Sequence, residues 1–494
     1  MTPHYLDWQN QPSVFKDYPG VTPISLPSDL SLPEEKLSVL LKSGQEGEKV
    51  EKVEKVEKMD VEVLSLILRL AYTLTAKARS AGGDYYFRSV ASAGALYPTE
   101  LYIATHSARG LDDGLYHFAI HRHCLYRIRE QDITPHVVRF TQTPNKRVPH
   151  LTFFLTAIFF RSAWKYRDRS YRYHLLDTGH LVENLVLALK ALKLPFDLCY
   201  EFDDGSINQL LGLDETKEVC LAVVHVLGTD TMADAPVEEI GELPKEMGSA
   251  SQVAAKEMDY PAVWEFHQAS ASLIPEAGPE REMHHEMGVV PETWTRAPLP
   301  SAWPEIMNYS EALYKRRSRR NFVKEPLNRD HVGALIDSIC AEDSAYLTES
   351  AKYRRTVALG FLAGDVEGME PGFYMLDTTE ASLGLVTPGN FMESMAHICL
   401  DQQWLANAAS HFLFLTNLEL MDRTWGARGY RYAMLSAGRM GQRLYMDATA
   451  MGMGCCGIGA LYDGEAAELL GLNDASRLLY LVAVGPVKSK IAVT

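Results

Sequence analysis

Positive charge is in deficit: 48 Lys and Arg stand against 64 Asp and Glu in 494 residues, a formal net charge of −16. A protein that displaces counterions from nucleic acid needs a basic face, so general nucleic-acid binding is excluded. A local group of arginines around one small anion is not. Long apolar runs are also missing. The most apolar stretch, LTFFLTAIFF at 151–160, is too short to cross a bilayer and reads as a buried strand. The N-terminus, MTPHYLDWQNQPSVF, has no basic start leading into an apolar core, so no secretory signal is expected. Cysteine is sparse, seven scattered residues with no framework spacing, which fits a reducing cytoplasm. What remains is the composition of an ordinary globular protein, 47% apolar and 23% charged, in a chain long enough for two domains.

The chain repeats itself. Tyr171 falls on Tyr430, an offset of 259, and the offset holds through Gly179 on Gly438 and Asp204-Gly205 on Asp463-Gly464. It continues through Leu210-Leu211-Gly212-Leu213 on Leu469-Leu470-Gly471-Leu472. A β-rich stretch closes each half, EVCLAVVHVLG ending at Gly228 and RLLYLVAVG ending at Gly485. Upstream, GLDDGLYHFAIHRHCLYRI at 110–128 predicts two strands joined by a turn, and GMEPGFYMLD at 368–377 predicts the first of them again. Each half therefore reads as strands, a long helix, a turn, a short helix and a closing strand. That mixture is an α+β class in two tandem domains.

The expected domains are 1–228 and 301–494, with residues 229–300, rich in Pro, Glu, Met and Ser, as an interdomain linker. A charged low-complexity insertion at about 44–60 contains GEKVEKVEKVEKMD and reads as a solvated helix or flexible segment. EMHHEM at 282–287 resembles a metal motif but lacks the i, i+4 histidine pair of a zinc helix. No metal site is expected there.

Three motifs are distributed unevenly between the halves. KRRSRRNF at 315–322 crowds four arginines around a serine, which suits either a solvated basic patch or an anion held by planar guanidinium forks. RSVASAGALYPTELYIA at 88–104 places small residues where a backbone could approach a flat ligand, or is a plain loop-to-strand junction. MGMGCCGIGAL at 451–461 has dinucleotide-like glycine spacing, yet a helix precedes it and an extended segment follows. That is the reverse of the strand-turn-helix order a dinucleotide fingerprint requires. It reads instead as a glycine-rich turn baring backbone N–H groups, with Cys455-Cys456 as packing residues.

Arg316-Arg317-Ser318-x-Arg320-x-Phe322, SAGALYPTELY and WKYRDRSYRYHLLDTGH together resemble the nitroreductase superfamily. Within it they resemble the branch of SagB-type and ThcOx-type dehydrogenases, the azoline oxidases of thiazole/oxazole-modified peptide biosynthesis. The likeness covers most of both halves. It implies an α+β fold with FMN at a dimer interface, here an intrachain pseudo-dimer. It also implies that Arg316, Arg317, Ser318 and Arg320 hold the flavin phosphate and the N1–O2 edge of the ring. Cys456, Gly457, Ile458 and Gly459 would lie near N5. Ser92, Ala93, Gly94, Ala95, Leu96 and Tyr97 would reach in from the other half, and Lys165-Tyr166 would match the family's catalytic pair.

The first half has the Ser-Ala-Gly loop but no arginine cluster before it, and it reads LPFDLC at the turn where the second half has its glycine-rich run. The second half has the converse. One FMN per chain is expected. Lys165 and Tyr166, flanked by Arg161, Arg167 and Arg169, are expected to supply the general base in a two-electron dehydrogenation of a peptide or small molecule, the alternative being that Lys165 is a surface lysine on a strand-to-helix loop. His180 and Glu183, three apart on the following helix, could line the pocket or form a helix-surface pair. Two other readings stay open: an NAD(P)H-dependent nitro or quinone reductase, and a flavin-binding protein without turnover.

Overall fold

The structure, a computed structural model, describes residues 5–42, 59–80, 83–141, 147–231, 240–273, 281–341 and 350–488. Most of the charged insertion at 44–60 and part of the linker lie outside these. The chain forms two compact units. The first comprises 1–32, 47–273 and 345–350; the second comprises 33–46, 274–344 and 351–494. This division differs from one drawn at 228 and 301, because much of the Pro/Glu-rich connector is packed. Its helix Pro261–Ala269 buries Val263 and His267 in the first unit, and β10 (Trp294–Arg296) adds a strand to the second.

The first unit is built on a seven-stranded sheet. Its strands are β1 (Pro23–Ser25), β4 (Thr99–Thr105), β5 (Gly114–Ala119), β6 (Cys124–Arg129), β7 (Arg147–Ile158), β8 (Phe196–Cys199) and β9 (Glu218–Thr231). They lie in the order β1-β6-β5-β4-β7-β9-β8. A separate hairpin, β2 (Leu74–Ser80) with β3 (Gly83–Arg88), precedes β4. The apolar run at 151–160 is β7 as far as Ile158, after which the chain turns directly into a helix.

The second sheet has strands β10, β11 (Ala358–Ala363), β12 (Gly372–Asp377), β13 (Ser382–Pro388), β14 (Ser410–Asn417), β15 (Gly454–Ile458) and β16 (Ser476–Gly485). Its order is β10-β13-β12-β11-β14-β16-β15, the same topology strand for strand. The repeat seen in sequence is thus a repeat of fold. Tyr171 and Tyr430 open the long helices Ser170–Ala191 and Arg428–Ala450. The Asp-Gly pairs start the short helices Asp204–Leu211 and Asp463–Leu469. Leu-Leu-Gly-Leu is a stop signal: Gly212 (φ +70°) and Gly471 (φ +65°) take the left-handed conformation that ends a helix. Among the described residues no helix is long and apolar enough to cross a membrane.

The two cores differ in polarity. In the first, Lys16 Nζ meets the Glu218 carboxylate in a fully buried pair, with Tyr102 Oη 2.6 Å and Ser251 Oγ 3.2 Å from the amine. Thr156 Oγ1 and Ser251 Oγ also donate to Glu218, each at 2.6 Å. By strand register the counterpart of Glu218 in the second sheet is Ser476, and that of Glu100 is Ala358.

Burial pushes the Glu218 carboxyl up, but Lys16 overcomes this and its net shift is downward. Burial pushes Lys16 down, but Glu218 overcomes this and its net shift is upward. Stability from Glu218 is therefore present above its unfolded pKa and lost as pH falls through the depressed value. Stability from Lys16 is present below its unfolded pKa and lost as pH rises through the elevated one. The pair holds across the neutral range. Replacing Lys16 by Met strands a buried carboxylate and is expected to cost about 3–5 kcal/mol. Lys16→Met with Glu218→Gln should recover part of the loss in urea unfolding at pH 7, and an unchanged midpoint in the single variant would contradict this account.

Candidate functional site

In the first unit, Lys165 and Tyr166 occupy the last turn of the helix Phe159–Tyr166, not a loop. Phe159 with Ala163, and Phe160 with Trp164, are i, i+4 pairs in a helix that is buried from Phe159 to Trp164 and follows directly on β7. The helix ends where Arg167 takes a left-handed φ of +52°. Lys165 and Tyr166 are left half-buried at its end, with Lys165 Nζ 5.3 Å from the Tyr166 ring centroid and that ring 4.4 Å from Tyr173.

Gly94 lies directly against this pair. A Cβ at Gly94 would sit 2.7 Å from Tyr166 Oη and 3.1 Å from Lys165 Nζ. Glycine is required there twice over, since φ is +65°. Ala95 (φ +55°) and Tyr97 (φ +46°) share the left-handed region, so the 92–97 loop is strained and needs holding.

Three groups hold it. Asp177 accepts from Ser92 Oγ (2.5 Å) and Ala93 N (3.1 Å), while Ser92 Oγ accepts from Tyr97 N (2.9 Å). Arg161 donates to Tyr97 O (3.0 Å), Glu100 (2.5 Å) and Ser13 O (2.8 Å). Arg88 lies over the Tyr97 ring at 4.5 Å.

Arg161 therefore does not flank Lys165 as a free charge. It is fully buried and committed to Glu100 and the loop. Burial pushes the Glu100 carboxyl up, but Arg161 and a hydrogen bond from His117 hold it well below the usual range. His180 and Glu183 are both buried, so they are not a helix-surface pair.

In the second unit, the helix Tyr309–Lys315, capped by Asn308, delivers the arginines. Arg316 is buried and lies over the Tyr445 ring at 5.5 Å. Ser318 bridges to Cys455, and Arg319 N donates to Cys455 O at 2.8 Å. The segment thus meets β15 at a single bridge. Ser318 and Arg320 stay exposed, with Arg320 5.7 Å from the Trp404 ring, which in turn stacks on Phe322 at 6.0 Å.

The glycine-rich run is an edge strand where the sequence suggested a turn: Gly454–Ile458 pairs with β16. Its glycines are needed for close approach, because a Cβ at Gly454 would lie 2.1 Å from Val487 and one at Gly457 1.7 Å from Tyr480 Oη. Gly457 N donates to Tyr445 Oη (2.7 Å), and the same oxygen is 2.9 Å from Ser318 Oγ. Burial pushes the Cys455 and Cys456 thiols up, although Arg320 pulls Cys456 back in part. Both are free and buried. At the corresponding edge of the first sheet, β8 carries the buried Phe196, Asp197, Leu198 and Cys199.

The structure thus gathers the sequence-derived residues into two sets. Ser92–Tyr97 stands with Lys165-Tyr166 in one unit, and Arg316–Arg320 with Cys456–Ile458 in the other. Sequence reasoning missed Asp177 and Tyr445, which organise each set. The one available signal for Asp177 was an acid within the apolar, histidine-bearing helix sequence HLLDTGH; Tyr445 gave none.

Burial pushes the Asp177 carboxyl up to about 7, against only partial relief from Ser92 and Ala93. A carboxyl raised on folding binds protons that the unfolded chain has released, so its contribution is complete at low pH and lost as pH rises from about 4 to about 7. Asp177→Asn does not titrate. Its melting temperature relative to wild type should rise between pH 4.5 and 8; a constant difference would contradict this assignment.

Known proteins agree with this architecture. The model described as Nitroreductase family matches residues 55–228 and again 313–486. A protein of Methanocaldococcus jannaschii named as a nitroreductase is 28% identical over 178 residues, 35% of this chain and 90% of its own length. The trifolitoxin-processing protein TfxB of Rhizobium leguminosarum bv. trifolii is 29% identical over 179 residues, 34% of this chain and 47% of that protein, about half its length. The fold matches the crystal structure of an Anabaena variabilis protein described as a nitroreductase. There the TM-score is 0.74 at 24% identity, over 98% of this chain and 96% of the other. With its family model matched twice, across more than half of its length, this chain belongs to the nitroreductase family and is a tandem form of it.

Proposed function

We propose that this oxidoreductase is an FMN-dependent dehydrogenase of the SagB/ThcOx type, taking two electrons from a peptide or small molecule. The observation that carries the reading is the packing of Lys165 Nζ and Tyr166 Oη against the side-chain-free Gly94. It sets an amine and a phenol against the one position of the loop that has no side chain. The residues of the second unit fit FMN. Exposed Ser318 and Arg320 can reach an anion, and buried Arg316 adds charge behind them.

When bound, FMN supplies a hydride acceptor. The chain's own residues do the rest. Arg316, Arg317, Ser318 and Arg320 bind and orient the cofactor, and the 92–97 loop confines the reacting carbon. Lys165 or Tyr166 in its basic form takes the proton from the adjacent atom. For a thiazoline or oxazoline the product is an aromatic azole. The name of the Rhizobium relative, a toxin-processing protein, supports a peptide substrate. We propose one FMN per chain.

Purified protein should carry about one flavin per polypeptide by absorbance. Lys165→Ala and Tyr166→Phe should retain it while losing roughly 10²–10⁴-fold in turnover of an azoline peptide. Two flavins per chain would contradict this proposal. Rapid bleaching by NADH or NADPH, without azoline turnover, would favour the reductase reading.

A further inference from the structure

Tyr445 belongs to none of the sequence motifs, yet it joins two of them. It is buried in the helix Arg428–Ala450, and its hydroxyl meets Gly457 N at 2.7 Å and Ser318 Oγ at 2.9 Å. A backbone N–H can only donate, so the phenol oxygen must be the acceptor on the Gly457 side. Burial, reinforced by the neighbouring thiols, raises the phenol pKa well above its ordinary value, so Tyr445 keeps its proton. That proton has the Ser318 oxygen within hydrogen-bond distance, a better acceptor than the Cys456 sulfur. Ser318, accepting from Tyr445, then directs its own proton away from the strand. It is exposed on that side.

We propose that Tyr445 is a positioning residue: a one-way relay from Gly457 N–H through the Tyr445 and Ser318 hydroxyls fixes Ser318 as a hydrogen-bond donor to an FMN oxygen. The inference rests on the FMN reading above and adds to it the reason Ser318 presents a proton and not a lone pair. Each hydrogen bond polarises the next. The first unit has no counterpart, since the aligned positions are Val186 and Leu198.

The test is FMN binding to the full-length protein stripped of flavin, followed by flavin fluorescence, with the melting temperature of each apoprotein. Tyr445→Phe keeps the ring beneath Arg316 and should weaken FMN binding about tenfold, as should Ser318→Ala. Because Tyr445 acts through Ser318, the double variant should bind within about twofold of Ser318→Ala alone. Wild-type affinity in Tyr445→Phe overturns the relay, and so does a double variant whose loss is the product of the two single losses. If Tyr445→Phe does not fold, Ser318→Ala decides: undiminished affinity overturns the relay, a tenfold loss supports it. Wild-type apoprotein that takes up no FMN overturns the functional reading itself, a different result from any of these.

Discussion

At Gly94 a Cβ would press on the Tyr166 hydroxyl, and at Gly457 it would overlap that of Tyr480. Room for a backbone where a side chain will not fit is the constraint on which both residue sets depend. It explains why each loop or strand needs external support. A glycine adds no side-chain packing of its own, so polar groups from the nearest helix help to fix the segment around it. In the first unit that group is Asp177, which gathers Ser92 and Ala93. In the second it is Tyr445, which joins Ser318 to Gly457. Both supports lie on the long helix that follows the same strand of the repeated fold. The same helix has thus been used twice, at positions that do not align, with an acid in one unit and a phenol in the other.

The polar core of the first unit carries a further cost. Glu100 and Glu218 occupy sheet positions that are Ala358 and Ser476 in the second. Burying a carboxylate is unfavourable unless a cation and hydrogen bonds surround it, and an apolar replacement is often as stable. Lys16 and Arg161 provide that compensation. Arg161 also shows what the arrangement does: the guanidinium neutralising Glu100 donates to the Tyr97 carbonyl, so the charge buried in the sheet and the strained loop share one support. At the matching positions of the second sheet, Ala358 and Ser476 bring no charge to be compensated.

Much of this was legible in the sequence because it is periodic or local. The 259-residue offset found the repeated helix, the stop glycines and the closing strands, since register survives where packing fixes it. The arginine run, the Ser-Ala-Gly loop and the Lys-Tyr pair are contiguous, and contiguous motifs can be read without a fold. What could not be read depends on contacts across long separations: Asp177 lies 85 positions from Ser92, and Tyr445 127 from Ser318. Two local expectations also failed for physical reasons. Glycine in MGMGCCGIGAL suggested a turn, but an edge strand tolerates glycine where a neighbouring segment must come close. Arg161 beside Lys165 in sequence suggested a neighbouring charge, but a buried carboxylate takes up the guanidinium.

The contrast between β15 and β8 indicates how a duplicated fold can divide its work. In an assembly of identical copies every substitution enters all copies, so an edge strand must stay bare in each if it is bare in any. A tandem chain is free of that constraint. In β8, Phe196 and Leu198 stand where the matching strand has Cys455 and Gly457, and at Gly457 the room beside the backbone is taken by the Tyr480 hydroxyl. In β15 the opposite choice was kept, at the cost of apolar contacts, and is stabilised by Tyr445 and by the arginine segment that meets it at a single bridge. The same logic accounts for Gly94. A loop that must pass beneath an amine and a phenol can be retained once, in the unit that carries Lys165 and Tyr166, and need not be maintained where no such pair exists.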